Sequence, residues 1–139
     1  MSYSIEEIKI GQKESFSKTI TETDVYLFAG ISGDLNPAHI DEEACKKTKF
    51  EKRIAHGMLV GSLISTVFGM KFPGPGTIYL ENQCRYKKPV FINDTITAEV
   101  EVIEILSEKG FVRFATKCVN QDGLVVQEGT ALVMPPKKG

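Results

Sequence analysis

The sequence predicts an α+β fold in which an antiparallel sheet wraps around one long buried helix. Two textures in the chain carry this prediction. The stretch "HGMLVGSLISTVFGM", His56 to Met70, has no charged residue and no polar face beyond small hydroxyls, and a helix that is apolar all round must be enclosed by protein. From about Thr77 onward, apolar and polar residues instead alternate with a period of two, the mark of half-buried antiparallel strands. A chain of 139 residues suits one domain, residues 1–139, with a real core. A single curved sheet cannot cover every side of such a helix and leaves edges unpaired, so a homodimer is expected to complete the burial.

A short leading strand is expected around Ile8 to Thr19. "TETDVYLFAGISG" then opens on Thr21 and Thr23 as capping residues, carries Val25, Leu27 and Phe28, and ends at Gly30 and Gly33, which predicts a short helix. Pro37 disfavours the helical region at Asn36 and cannot donate a backbone hydrogen bond, so Asp34 to His39 is expected to be an extended or turn segment. "IDEEACKK" supports another short helix, capped by Asp41 and acidic at its start, where the helix dipole favours negative charge. Within the long apolar helix, Gly57, Gly61, Ser65 and Gly69 recur every four residues and form a stripe of small side chains. A sheet or a ligand comes close to that stripe. The strands follow as "TIYLENQCRYKKPV", "DTITAEVEV" with Ile96, Ala98, Val100 and Val102 in alternation, "GFVRFATKCVN" and "LVVQEGTALVM", with Asp122-Gly123 turning the last hairpin.

Composition removes several classes of function. With 17 basic residues interleaved among 18 acidic ones, the net charge of -1 exerts no overall pull on nucleic acid or an anionic membrane. Arg85, Lys87 and Lys88 read as solubilising strand residues, leaving only a local contact with the phosphates of a small molecule. Cys45, Cys84 and Cys118 show no C-x-x-C spacing and are expected to be reduced thiols. The first residues lack a basic region followed by an apolar core, and the apolar run of ~14 residues is short of the ~20 that span a bilayer. A cytoplasmic protein with no membrane partner is expected.

The segment "GDLNPAHID" gathers two acids and a histidine among turn formers. Asp34 and Asn36 can serve the turn alone by bonding nearby amides, or the turn can hold Asp34 and His39 for acid-base chemistry. A surface pair or a metal site at His39 and Asp41 is a third reading. With only two histidines and no metal-ligand spacing in the chain, no metal is expected. Gly57 falls in the first turn of the long helix, where amides lack intrahelical partners and can receive a developing oxyanion, or it simply permits close packing beside a capping His56. Ser65 either bonds the carbonyl one turn back or faces a ligand along the small stripe.

"FAGISGDLNPAHID", then "RIAHGMLVGSLIS", then "YLENQCRYKKPVFINDTITAEVEV" together resemble the MaoC-like (R)-specific enoyl-CoA hydratases, and the resemblance covers nearly the whole chain. It implies the hot dog fold, a dimer, and reversible syn hydration of a trans-2-enoyl-CoA to the (R)-3-hydroxyacyl-CoA. It also implies that Asp34 and His39 form the catalytic pair, that Gly57 supplies the oxyanion-hole amide, and that Asn36, His56 and Ser65 line the substrate. No cofactor is implied, since the CoA thioester is itself the substrate. Ala38 departs from the larger aliphatic residue more usual before the histidine, which touches local packing only. The same resemblance admits a 3-hydroxyacyl dehydratase acting on acyl carrier protein, and a non-catalytic acyl-CoA-binding module is the alternative from outside enzymology.

Overall fold

A computed structural model describes residues 1–139. Five strands, β1 (Lys13–Thr19), β2 (Ile78–Tyr86), β3 (Thr95–Leu106), β4 (Phe111–Val119) and β5 (Val125–Met134), form one antiparallel sheet in the order β1-β3-β4-β5-β2. Between β1 and β2 the chain makes α1 (Glu22–Ser32), two single turns α2 (Pro37–Ile40) and α3 (Glu42–Cys45), and the central helix α4 (Gly57–Thr66). A π-helical turn, Val67–Lys71, prolongs α4. This is the α+β, hot dog arrangement that the sequence predicts, with no helix long and apolar enough to cross a membrane.

The alternation in "DTITAEVEV" is realised directly. Ile96, Ala98, Val100 and Val102 are buried from β3, and Val112, Phe114 and Cys118 are buried from β4. From α4 and its π turn, Val60, Leu63, Ile64, Val67 and Phe68 meet them in one core. Phe68 sets its ring edge-on to Tyr79, with centroids 5.1 Å apart, and packs at 4.9 Å on Phe114. Asp122-Gly123 lies in the β4–β5 turn, with Gly123 at φ 77, a conformation that favours glycine. Asn120 accepts from the amides of Asp122 and Leu124 to close that turn.

Two expectations need correction. The leading strand begins at Lys13, because Ile5–Glu7 form a 3-10 turn instead. The segment around Pro37 is partly helical, since proline is well placed at the first position of a helix, where its missing N–H costs nothing. As expected of a single curved sheet, the central helix is not enclosed on every side by its own chain. The sheet covers the face of Val60, Leu63 and Ile64 and leaves Met58, Ser62 and Ser65 exposed.

Candidate active site

The segment after α1 is a relay of short caps. Gly33 ends α1 at φ 80, the Ser32 hydroxyl accepts from the Asp34 amide at 3.1 Å, and Asp34 Oδ1 accepts from the Asn36 amide at 3.2 Å. Asn36 Oδ1 in turn accepts from the Ala38 amide at 3.0 Å and caps α2. The turn chemistry of Asp34 and Asn36 is therefore real. Its result is that one helical turn carries His39 inward, only 8% exposed, while the Asp34 carboxylate stays at the surface.

His39 Nδ1 donates to the carbonyl of Ile54 at 2.7 Å. A carbonyl only accepts, so the neutral ring keeps its proton on Nδ1 and presents Nε2 as a base. His56 Nε2 donates to the backbone carbonyl of Asp34 at 3.0 Å, tying the start of α4 to the loop. The two imidazoles stack with centroids 3.8 Å apart and planes 29° apart, and Phe28 packs tilted on His56 with centroids 4.9 Å apart. His56 is 2% exposed and its Nδ1 has no hydrogen-bond partner. It thus faces His39 and the Asp34 backbone, not an open cavity.

A carboxylate oxygen of Asp34 and ring nitrogens of His39 and His56 all lie within 4.8 Å of one another. A metal ion sits in the plane of each imidazole that binds it, and stacked rings do not aim at a common point. A water molecule suits the gap better, because groups up to 4.8 Å apart can both hydrogen-bond to it. Arg53 anchors the segment that leads into His56, donating to Glu42 at 2.9 Å, to the Tyr26 hydroxyl at 2.9 Å, and to Glu22. Its hydrogen bond holds the Glu22 carboxyl below the usual carboxylate range.

Gly57 opens α4, so its N–H has no acceptor within the helix. His39 and Gly57 line one cavity of about 350 Å³, together with Phe50, Val60, Tyr86 and Gln127. Asp34 reaches the histidines from the solvent side and is not part of that wall. A second cavity of about 310 Å³ runs along the exposed face of α4, past Gly61, Ser62, Ile64 and Ser65, against Tyr79 and Cys84. Ser65 is exposed there and makes no hydrogen bond within the chain, whereas Ser62 back-bonds to the Leu59 carbonyl at 2.6 Å. Ser65 stands two turns from Gly57, about 12 Å along the axis at 1.5 Å per residue.

Tyr86 and Gln127 line both cavities and were not legible as functional residues in the sequence. They face each other across β2 and β5, and Gly57 lies against them: a Cβ there would stand 2.5 Å from Tyr86 Cε1. Close packing is thus a fact at Gly57 as well as a free amide. Burial pushes the Tyr79 phenol and the Cys118 thiol at the second cavity up to about 12, so neither ionises near neutrality.

The chain matches the MaoC like domain over residues 6–122. It is 52% identical over 134 residues to an (R)-specific enoyl-CoA hydratase of Rhodospirillum rubrum, covering 96% of this chain and 92% of that one. It is 41% identical to a 3-hydroxybutyryl-CoA dehydratase of Methylorubrum extorquens, covering 96% of this chain and 84% of the other. The fold superposes on the unliganded R-hydratase PhaJ1 from Pseudomonas aeruginosa with a TM-score of 0.92 at 44% identity, covering 97% of this chain and 86% of that one.

Proposed function

The chain belongs to the MaoC-like family, and from that premise we propose that it is an (R)-specific enoyl-CoA hydratase, a hydro-lyase that adds water reversibly and syn across the trans-2 double bond of an enoyl-CoA. The observation that carries the reading is the placement of Asp34, His39 and Gly57. A carboxylate and an imidazole lie within one water's reach, and the imidazole shares a cavity wall with an unpartnered amide at a helix start.

In this reading one water donates to Asp34 and to His39 Nε2, and its oxygen attacks C3 of the enoyl thioester. The pair takes a proton from the water and delivers one to C2 on the same face, so the double bond gains one H and one OH. Negative charge gathers meanwhile on the thioester oxygen. The Gly57 N–H, aided by the positive end of α4, holds that oxygen more tightly as the charge grows. His56 fixes the Asp34 backbone and the His39 ring, and Asn36 shapes the loop. The step as written draws on no metal and no redox cofactor, and CoA serves as the carrier of the acyl group. The acyl chain lies along the small stripe of α4 toward Ser65.

The exposed face of α4 and the edge strand β2, with Met58, Ile78, Leu80 and Tyr86 exposed, support a homodimer in which a second copy covers this groove. A cytoplasmic site of action fits that acyl-CoA chemistry. The test is loss of the enoyl absorbance of crotonyl-CoA on adding the protein, with the 3-hydroxybutyryl product resolved by chirality. Hydration to the (R) product is expected. Release of free CoA thiol, or the (S) product, overturns the reading, and much faster turnover of crotonyl-acyl carrier protein moves the substrate to that carrier.

A further inference from the structure

We propose that Gln127 is the positioning residue for the oxyanion amide of Gly57, an assignment that rests on the hydratase reading above. Gln127 is 4% exposed, and its Nε2 donates to the Gly57 carbonyl at 2.8 Å from a strand seventy residues away in sequence. A carbonyl in the first turn of a helix already has a donor four residues on, so this bond is not required to satisfy it. It is an added constraint.

The constraint acts on the residue least able to hold itself. Glycine has the widest backbone freedom, and the first amides of a helix are free of intrahelical bonds. On one side Gly57 abuts the Tyr86 ring, and on the other its carbonyl is held by Gln127, which β5 places directly opposite Tyr86. One turn on, Gly61 is trimmed to the same side chain, since a Cβ there would stand 3.2 Å from Gln127 Oε1. Ring and carboxamide together limit the φ and ψ that Gly57 can adopt, and so the direction its N–H can take relative to the cavity it lines with His39. Gln127 does not touch the reacting oxygen. It acts through Gly57.

A β-bulge aims the carboxamide. The β4–β5 register passes from Cys118 opposite Gln127 to Val119 opposite Val125, which leaves Val126 without a partner. Both Val126 and Gln127 are buried as a result, and the Val126 carbonyl accepts instead from the amides of Lys87 at 2.8 Å and Lys88 at 3.3 Å. Bulges beside active sites commonly re-aim a side chain in this way. An aliphatic residue at 127 would fill the same space without holding the helix start.

The test compares Gln127→Met, which keeps the bulk and loses the donor, with Gln127→Glu, whose carboxyl donates only while protonated. Turnover of crotonyl-CoA is measured, together with the absorbance of hexadienoyl-CoA bound in an Asp34→Asn background. That conjugated thioester shifts to the red when a donor draws charge onto its carbonyl. With Gln127→Met, kcat is expected to fall roughly tenfold with KM within about twofold, as for a misaligned oxyanion donor, and the red shift to be mostly lost. With Gln127→Glu, the shift, read against Gln127 protein at the same pH, is expected to recover as pH falls from about 8 to about 5. The groups facing position 127 are Cys84 and Tyr86 from β2, Cys118 from β4 and the glycines of α4, and the cavities that Gln127 lines also carry His39, Lys49, Lys87 and Lys88 on one side and Lys117 and Glu128 on the other. Burial raises the pKa of both thiols and of the Tyr86 phenol, so none of the three changes charge in that window. Reading each variant against the Gln127 protein at the same pH cancels what the change of pH does elsewhere in the cavity. Wild-type kcat and red shift in Gln127→Met overturn the proposal. If that variant does not fold, a red shift in Gln127→Glu that ignores pH overturns it. An unsubstituted protein that fails to hydrate crotonyl-CoA overturns the hydratase reading instead.

Discussion

The two parts of helix α4 are built to different standards. At its start every group is held from more than one direction: His56 by the Asp34 carbonyl and two aromatic rings, Gly57 by Tyr86 and Gln127, and His39 by Ile54 and the stacked imidazole. Farther along, the face of Gly61, Ser62 and Ser65 lies open, and the Ser65 hydroxyl is unbonded. The first region is specified by backbone geometry and long-range hydrogen bonds, the second mainly by side-chain size. Such a division suits a thioester enzyme, whose reacting atoms are the same for every substrate while the acyl chain varies.

The contrast is broken most directly at the constrained end. Asp34→Asn and His39→Gln are each expected to lower kcat on crotonyl-CoA by ~10² or more, as for loss of a positioned acid-base group. Asp34 is exposed, so its variant should melt within a few degrees of the parent, whereas His39→Gln also disturbs the bond to Ile54 and should melt lower. Calorimetry beside kinetics separates the two contributions. Full activity in a folded Asp34→Asn protein would remove the pair from the mechanism.

A smaller effect is expected from Gly57→Ala. The added methyl must displace the Tyr86 ring, which gives up its 3.4 Å contact with Met58 Sδ, or push the helix start off Gln127. Overpacking of this kind costs about 1–3 kcal/mol, and a misdirected amide should cost roughly tenfold in kcat. A second change, Tyr86→Leu, should recover stability in Gly57→Ala by making room. If the pair of changes is merely additive in melting temperature, Gly57 and Tyr86 do not share the constraint.

The same contrast explains what could be read from the sequence. Period-two alternation in "DTITAEVEV" and the uncharged run from His56 found the sheet and helix, because burial acts on every residue of those segments. Asp34, His39 and Gly57 were legible because turn formers and a helix start surround them. Gln127 was not: the bulge at Val126 breaks the alternation that would have shown which way it faces. His56 read as a capping residue or as lining the substrate, since its bond to the Asp34 carbonyl joins segments far apart in sequence. The Pro37 reading held up to Asn36 and not beyond it, as proline excludes helix before itself yet begins one well. Apolar pattern likewise says that α4 is buried without saying which of its faces the sheet leaves open.

Ser65 sharpens the comparison from the open end. It sits about 12 Å along the axis from Gly57, too far to affect a crotonyl group held at the oxyanion amide but within reach of a longer acyl chain on the small stripe. Replacing it with Phe should therefore fill the groove between Gly61 and Tyr79 and leave the start of the helix untouched. Each methylene excluded from an apolar pocket is worth about 1–3 kcal/mol, or roughly 10- to 200-fold in kcat/KM. The ratio of octenoyl-CoA to crotonyl-CoA turnover is expected to fall by at least about tenfold, measured alongside size-exclusion chromatography to register any change in assembly. An unchanged ratio in a protein of unchanged assembly would place the acyl chain elsewhere and leave the small stripe to helix packing alone. A fall in both substrates together would mean that the two parts of α4 are coupled, and that the division between fixed chemistry and adjustable length is not built into this helix.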